Sequence, residues 1–173
     1  MNFKEVYLSL GGNIGDSSSI LKAALAEISQ ISEIKSLETS HFYLTTPVGN
    51  GPFQQNFTNC VCRFSTILSP FQLLRELQKI EVKLGKVPKA KHHPRILDID
   101  ILFYAAESYN SEELEIPHPR WKERLFVLIP LADLTKQLRI PQDFRSDKMI
   151  DVELIKMIET HQNSHQETVL LIN

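Results

Sequence analysis

Two aspartates separated by one isoleucine, in the stretch ILDIDILF from Ile96 to Phe103, constrain this chain more than any other feature. The stretch has the length and the Ile/Leu content of a strand. A period of two puts Leu97, Ile99, Ile101 and Phe103 on one face and Asp98 and Asp100 on the other. Carboxylates about 7 Å apart along a strand repel in a half-buried setting unless a cation sits between them. Hard oxygen donors of this kind suit Mg²⁺ whose remaining positions are filled by substrate phosphates. The alternative is a sheet face with two solvated carboxylates, and the pair alone does not choose.

A chain of 173 residues, 42% hydrophobic and 23% charged, is expected to bury one core without disulfides or structural metals. A net charge of -2 argues against a broad polyanion-binding surface, so nucleic acid is not an expected partner. Neither is a membrane: no apolar run reaches the ~18 residues of a span, and MNFKEVYLSL lacks the long apolar region of a signal peptide. The cytoplasm is the expected location. Cys60 and Cys62, an i, i+2 pair on an expected strand, point to one face with geometry that poorly suits a disulfide, and are expected as buried free thiols.

Along the chain, Glu5 to Leu10 alternates as a strand and ends in Gly11-Gly12-Asn13-Ile14-Gly15-Asp16. That turn has neither phosphate-loop pattern and is expected to be a tight strand-to-helix connection needing positive φ. Ile20, Ala24, Leu25, Ile28 and Ile31 recur at helical spacing, with Asp16 or one of Ser17 to Ser19 as cap. Ile34 to Tyr43 reads as a second strand, the Pro/Gly-containing TTPVGNGPFQQN as a loop, and Phe57 as the start of a third strand. Ser69-Pro70 opens a second helix with Leu73, Leu77, Ile80 and Leu84 as its buried stripe, and Gly85 closes it. Glu81 lies beside that stripe, either facing a pocket or solvated. The basic loop that follows, with Lys86, Lys89, Lys91, His92, His93 and Arg95, runs directly into the aspartate strand; cations and a metal pair are what a phosphate chain needs. Residues 128 to 146 read as short helical turns and loops broken by Pro130 and Pro141. A last helix is expected over about Lys148 to Thr160, and 161–173 as a tail or the start of a linker after a single domain at 1–160.

The phrase PRILDIDIL, together with IPHPRWKERLFVLIPL from Ile116, closely resembles the 6-hydroxymethyl-7,8-dihydropterin pyrophosphokinases of folate biosynthesis. Their signature is a basic residue, a spacer, a small residue, Pro, Arg, two spacers and Asp-hydrophobic-Asp. Here it runs from Lys91 to Leu102, with His93 where Gly or Ala is usual, and Lys86 and Pro88 stand where the family has arginines. The resemblance spans about residues 5 to 155. It implies transfer of pyrophosphate from ATP to the hydroxymethyl group of the dihydropterin, with two Mg²⁺ ions on Asp98 and Asp100, and with Arg95 joining them in catalysis. Glu81, Lys86, Arg95, Ile101, His118 and Arg124 would contact the nucleotide. Phe57 and Phe126 would sandwich the pterin, Asn59 would read its edge, and backbone groups of Thr45 and Val48 would complete the hydrogen bonds. Stacking needs an aromatic face, and a heterocycle edge needs a side chain with both donor and acceptor. Phe57 and Asn59 share a strand parity, so both can face one pocket. Without the resemblance, Phe57 is a core residue. Family members are often fused to other folate enzymes, and the resemblance leaves fusion to or association with such enzymes open here.

The order strand, helix, strand, strand, helix, strand suggests an α+β, ferredoxin-like sandwich, an antiparallel sheet backed by helices with extra C-terminal helices. An RNA-recognition module shares that order but needs exposed aromatics on its central strands, where Asp98 and Asp100 would repel a phosphate backbone. A relative that binds ATP or pterin without turnover is the other alternative.

Overall fold

The computed structural model describes residues 2–47, 55–87, 94–162 and 168–172. In chain order these form β1 (Lys4–Gly12), α1 (Ser17–Ser29), β2 (Ile34–Thr39), β3 (Phe42–Thr45), β4 (Phe57–Thr66), α2 (Pro70–Lys83) and β5 (Asp98–Tyr104). A small ribbon, β6 (Tyr109–Asn110) and β7 (Glu115–Ile116), leads to a 3₁₀ turn, Trp121–Glu123. Then come α3 (Leu125–Leu134), β8 (Gln137–Asp143), β9 (Ser146–Glu153), α4 (Leu154–Gln162) and β10 (Val169–Ile172). Among the described residues, six strands make one antiparallel sheet in the order β10-β3-β4-β1-β5, with β2 also on β4. This is the α+β sandwich that the element order suggests.

The helices start where their caps stand. Asp16 accepts from the Ser19 N–H at 3.1 Å, and Ser69 and Gln72 form a reciprocal capping box ahead of Pro70. Their apolar stripes, Leu21, Ala24 and Ile28 on α1 and Leu73, Leu77 and Ile80 on α2, bury against one sheet face. That face presents Val6, Leu8, Leu10, Cys60, Cys62, Phe64, Ile99 and Ile101. Both cysteines are free and buried there. The opposite face, with Tyr7, Val61, Leu102 and Phe103, is covered by Trp121, by Val127, Leu128 and Leu131 of α3, and by the β8–β9 hairpin. The two faces are thus both packed near one end of the sheet.

Several elements depart from the sequence reading, each for a local reason. The expected strand Ile34 to Tyr43 is two strands: Ser40 interrupts it, its hydroxyl accepting the Val61 N–H at 2.9 Å in place of a ladder carbonyl. Phe103 does not share a face with Ile101. The β1–β5 register slips between Tyr7 and Leu8, pairing Tyr7 with Phe103 but Leu8 with Ile101. The extra residue, Leu102, reverses the alternation and sends Phe103 against Tyr7 and Trp121. Helix α3 runs through Pro130, held by burial on most sides rather than by propensity. Residues 137–153 are a hairpin rather than turns and a helix. Ile140 pairs with Ile150 and Leu138 with Val152, and Pro141 sits beside a bulge, where a missing N–H is tolerated. Helix α4 therefore starts at Leu154, later than the expected Lys148. In the expected tail, Val169–Ile172 pairs with β3 from Thr45 to Phe42 as an edge strand of the main sheet.

The glycine segment is not simply a turn. Strand β1 continues through Gly11 and Gly12, and of the expected positive φ values only Gly15 shows one, at 69°. Gly12 is required by contact instead: a Cβ there would collide with the backbone carbonyl oxygen of Ile96. This lets the chain entering β5 lie directly against β1.

Candidate active site

The register of the three central strands brings the candidate residues together. Gly11 of β1 lies opposite Asn59 of β4 on one side and Asp98 of β5 on the other. The next rung on that face is Val61, Ser9 and Asp100. With strands spaced ~4.8 Å, Asn59 and Asp98 stand roughly 10 Å apart with a bare glycine between them. That gap suits a small planar ring carrying a reactive arm.

On the β5 side, both carboxylates are partly exposed, at 25% for Asp98 and 38% for Asp100, and among the described residues four cationic or imidazole side chains surround them. Lys86 donates to Asp98 Oδ1 at 2.8 Å, and Arg95 pairs with Asp98 Oδ2. Asp100 is held more loosely, with Arg124 Nη1 at 3.6 Å and His118 Nε2 at 3.8 Å. Lys86 also donates to Glu81 at 2.6 Å, and Glu81 in turn accepts the Ile99 N–H at 2.8 Å. Glu81 is therefore neither solvated nor open to the site. It is a buried brace on the backbone between the two aspartates. Burial pushes its carboxyl up, with Lys86 opposing. For Lys86, burial alone would lower the ammonium, but hydrogen bonds to Asp98 and Glu81 outweigh it and leave the pKa above the ordinary lysine value.

His118 is anchored by its N–H to the Leu102 carbonyl at 2.9 Å, and its Nδ1 accepts the Arg120 N–H at 3.1 Å. The neutral ring therefore carries its proton on Nε2, the nitrogen facing Asp100. Burial lowers its pKa despite Asp100, helped by Arg124 and Arg120. Arg124 lies 5.3 Å over the Phe126 ring, and burial lowers its pKa as well. Among the described residues its Nε is a buried donor without a hydrogen-bond partner. A donor so placed costs about 1–3 kcal/mol unless a ligand oxygen satisfies it.

On the β4 side, Asn59 is buried, its Nδ2 donating to Thr45 Oγ1 at 2.7 Å, while Phe57 pairs with Thr45 across the strands and is half-buried. A Cβ on Gly11 would lie 2.5 Å from Asn59 Oδ1, so the glycine leaves that carbonyl its space. Thr45 thus fixes the Asn59 amide through its side chain. Phe126 sits on the first turn of α3, above the same face. Ile101 is the exception: its side chain is in the helix-side core, so only its backbone could meet a ligand. Val48, Lys89, Lys91, His92 and His93 lie outside the described residues.

Two positioning features escaped the sequence reading. Asn13 is nearly fully buried. Its Oδ1 accepts the Arg95 N–H at 2.8 Å, its Nδ2 donates to the Gln55 carbonyl at 3.1 Å, and its own N–H reaches the Arg95 carbonyl at 2.9 Å. One side chain therefore pins the segments entering both β4 and β5; a Gly-Gly-Asn turn was the only hint. Asp133 at the end of α3 accepts from the His41 N–H at 3.0 Å and from the Tyr43 hydroxyl at 3.0 Å, fixing α3 over β3. Burial, then Asp133, pushes Tyr43 up to about 12.

The family model described as 7,8-dihydro-6-hydroxymethylpterin-pyrophosphokinase matches residues 7–136. A Bacillus subtilis 2-amino-4-hydroxy-6-hydroxymethyldihydropteridine pyrophosphokinase is 41% identical over 76% of this chain and 78% of its own length. The enzyme of the same name from Haemophilus influenzae is 38% identical over 90% of this chain and 94% of its own. The bifunctional protein FolKE of Lactococcus lactis subsp. cremoris is 35% identical over 92% of this chain, which spans 44% of that protein. In fold, the chain resembles the crystal structure of a Plasmodium falciparum HPPK-DHPS with SDX-DHP. That likeness has a TM-score of 0.69 at 15% identity, over 92% of this chain and 46% of the other. With the aspartate strand, the basic ring and the bare Gly11 rung in one place, the chain belongs to the 7,8-dihydro-6-hydroxymethylpterin-pyrophosphokinase family.

Proposed function

We propose that this pyrophosphokinase of folate biosynthesis divides its labour along the Asn59–Gly11–Asp98 rung, with the pterin on the Asn59 side and the triphosphate on the Asp98 side. That rung supports the reading, because it sets the Asn59 amide and the Asp98 carboxylate about two strand spacings apart on one face. The hydroxymethyl oxygen attacks the β-phosphorus of ATP and the bond from that phosphorus to the α,β-bridging oxygen breaks. AMP leaves with that oxygen, and the hydroxyl proton passes to solvent.

The donor set fits Mg²⁺. Among the described residues no third acidic, histidine or cysteine ligand joins Asp98 and Asp100, so the remaining positions would fall to phosphate oxygens and water, as Mg²⁺ prefers. Two Mg²⁺ ions held by Asp98 and Asp100 would supply charge neutralisation at the β- and γ-phosphates. Arg95, Lys86, His118 through its Nε2–H, and Arg124 through its unsatisfied Nε orient the phosphate oxygens. Phe57 and Phe126 stack on the pterin, and Asn59 reads its edge with Thr45 fixing the amide. Glu81 acts by bracing Lys86 and the Ile99 backbone, and Ile101 through its main chain alone. Among the described residues no helix is long and apolar enough to cross a membrane. We place the reaction in the cytoplasm, alone or joined to other folate enzymes.

Incubation with ATP, Mg²⁺ and 6-hydroxymethyl-7,8-dihydropterin should release AMP in one-to-one yield with the pterin diphosphate. Production of ADP, or no nucleotide turnover at all, would remove this reading. A protein that bound both substrates without AMP release would be the non-catalytic relative.

A further inference from the structure

We infer that Lys86 is a placeholder cation: in the nucleotide-free protein it occupies Asp98 in the metal's stead. It gives that carboxylate up only when phosphate oxygens draw it away. The inference rests on the proposed metal role of Asp98. Both Asp98 oxygens are taken, Oδ1 by Lys86 at 2.8 Å and Oδ2 by Arg95. Among the described residues, Arg124 Nη1 at 3.6 Å and His118 Nε2 at 3.8 Å are the basic nitrogens paired with Asp100, both beyond hydrogen-bond distance, so Asp100 is the more open carboxylate of the pair.

Lys86 is built to exchange partners. Its backbone N–H is tied to the Glu81 carbonyl at 2.9 Å, and its ammonium contacts the Glu81 carboxylate at 2.6 Å. Glu81 cannot follow it, being buried and bound to the Ile99 N–H. The ammonium can therefore pivot on Glu81, exchanging Asp98 for a phosphate oxygen without leaving the buried carboxylate unpaired. A lysine suits this better than an arginine, because a point charge on a flexible stem needs no fixed fork of donors. Glu81, Asp98, Lys86 and Arg95 together sum to zero charge, so a divalent cation arriving alone must displace a satisfied ion pair. A metal arriving with a triphosphate brings the anion that accepts the displaced lysine. The site therefore fills with metal and nucleotide together.

The test is Mn²⁺ binding to nucleotide-free protein, read from the electron paramagnetic resonance of free Mn²⁺ at low ionic strength. Lys86→Met should tighten binding about tenfold, since one positive charge is removed beside the incoming ion. Lys83→Met, which removes the same charge from the distant Glu27 pair, should leave binding unchanged. With a non-hydrolysable ATP analogue present, the advantage of Lys86→Met should vanish or reverse. Should the single variant fold poorly because Glu81 has lost its partner, Lys86→Met with Glu81→Gln restores a neutral brace, and a smaller tightening is expected, because the Asp98 oxygen is freed while the local net charge stays the same. Equal affinity in wild type and either Lys86 variant, or an equal gain in Lys83→Met, overturns the placeholder while leaving the metal assignment standing. A gain that survives Asp98→Asn would place the metal elsewhere and overturn both.

Discussion

Asp98→Asn is expected to lower the rate of AMP formation at saturating substrates by about 10²–10³-fold, the scale on which removal of one preorganised electrostatic group acts. Asp100→Asn should do the same. An asparagine keeps the shape and one oxygen but loses the charge that would hold Mg²⁺ against the phosphates. Neither change should unfold the protein, because β5 is packed through Leu97, Ile99 and Ile101 on one face and Leu102 and Phe103 beyond the bulge. Stability should fall by no more than about 1 kcal/mol, given that the ion pairs on these aspartates are partly exposed. Circular dichroism melts alongside an AMP assay check both parts. Near-normal turnover in a folded variant would sink the metal assignment.

Replacing Phe57 or Phe126 by alanine should weaken pterin binding by about 1–3 kcal/mol, from lost burial and stacking, and change ATP affinity little. Phe126 requires a control, because Arg124 lies over its ring and its loss could release the guanidinium. Phe126→Leu keeps an apolar support for Arg124 while removing the aromatic face, so pterin affinity should drop and ATP affinity hold. Calorimetry with each ligand separates the cases. Equal weakening of both ligands would mean that these rings hold the packing of β4 and α3 rather than a heterocycle.

The site was more legible in the sequence than the scaffold around it. Asp98 and Asp100 declare themselves because a period of two is unmistakable when polar residues interrupt an Ile/Leu run. Beyond Ile101 that signal ends: Leu102, Phe103 and Tyr104 are all buried, so apolar character no longer reports the face and the bulge is hidden. The β8–β9 hairpin was missed because Pro141 reads as a breaker, while a bulge makes its missing N–H harmless. Strand β10 is four residues of edge pairing, and such a run acquires its meaning from β3, over 120 residues away. In the sequence Lys86 reads as one charge of a basic run and, by resemblance, as a nucleotide contact. Its pairing with Glu81 and Asp98 depends on how the end of α2 meets β5, which periodicity does not encode. Asn13 is legible as a turn residue and illegible as a clamp, since its partners come from two other segments.

The burial of Cys60 and Cys62 between the central strand and the helices makes the protein its own unfolding reporter. Burial pushes Cys60 well up and Cys62 to about 12, so neither offers appreciable thiolate at neutral pH while the sheet is closed. Both sit on β4 opposite Leu10 and Leu8, the middle of the sheet, where only a large opening admits reagent. Alkylation should therefore time global opening rather than local fraying, with both thiols modified at one common rate. Bound nucleotide and pterin should slow that rate in proportion to their occupancy, which mass spectrometry of the labelled chain can follow without any catalytic readout. Two separate rates, unaffected by ligand, would instead reveal a sheet whose strands detach singly.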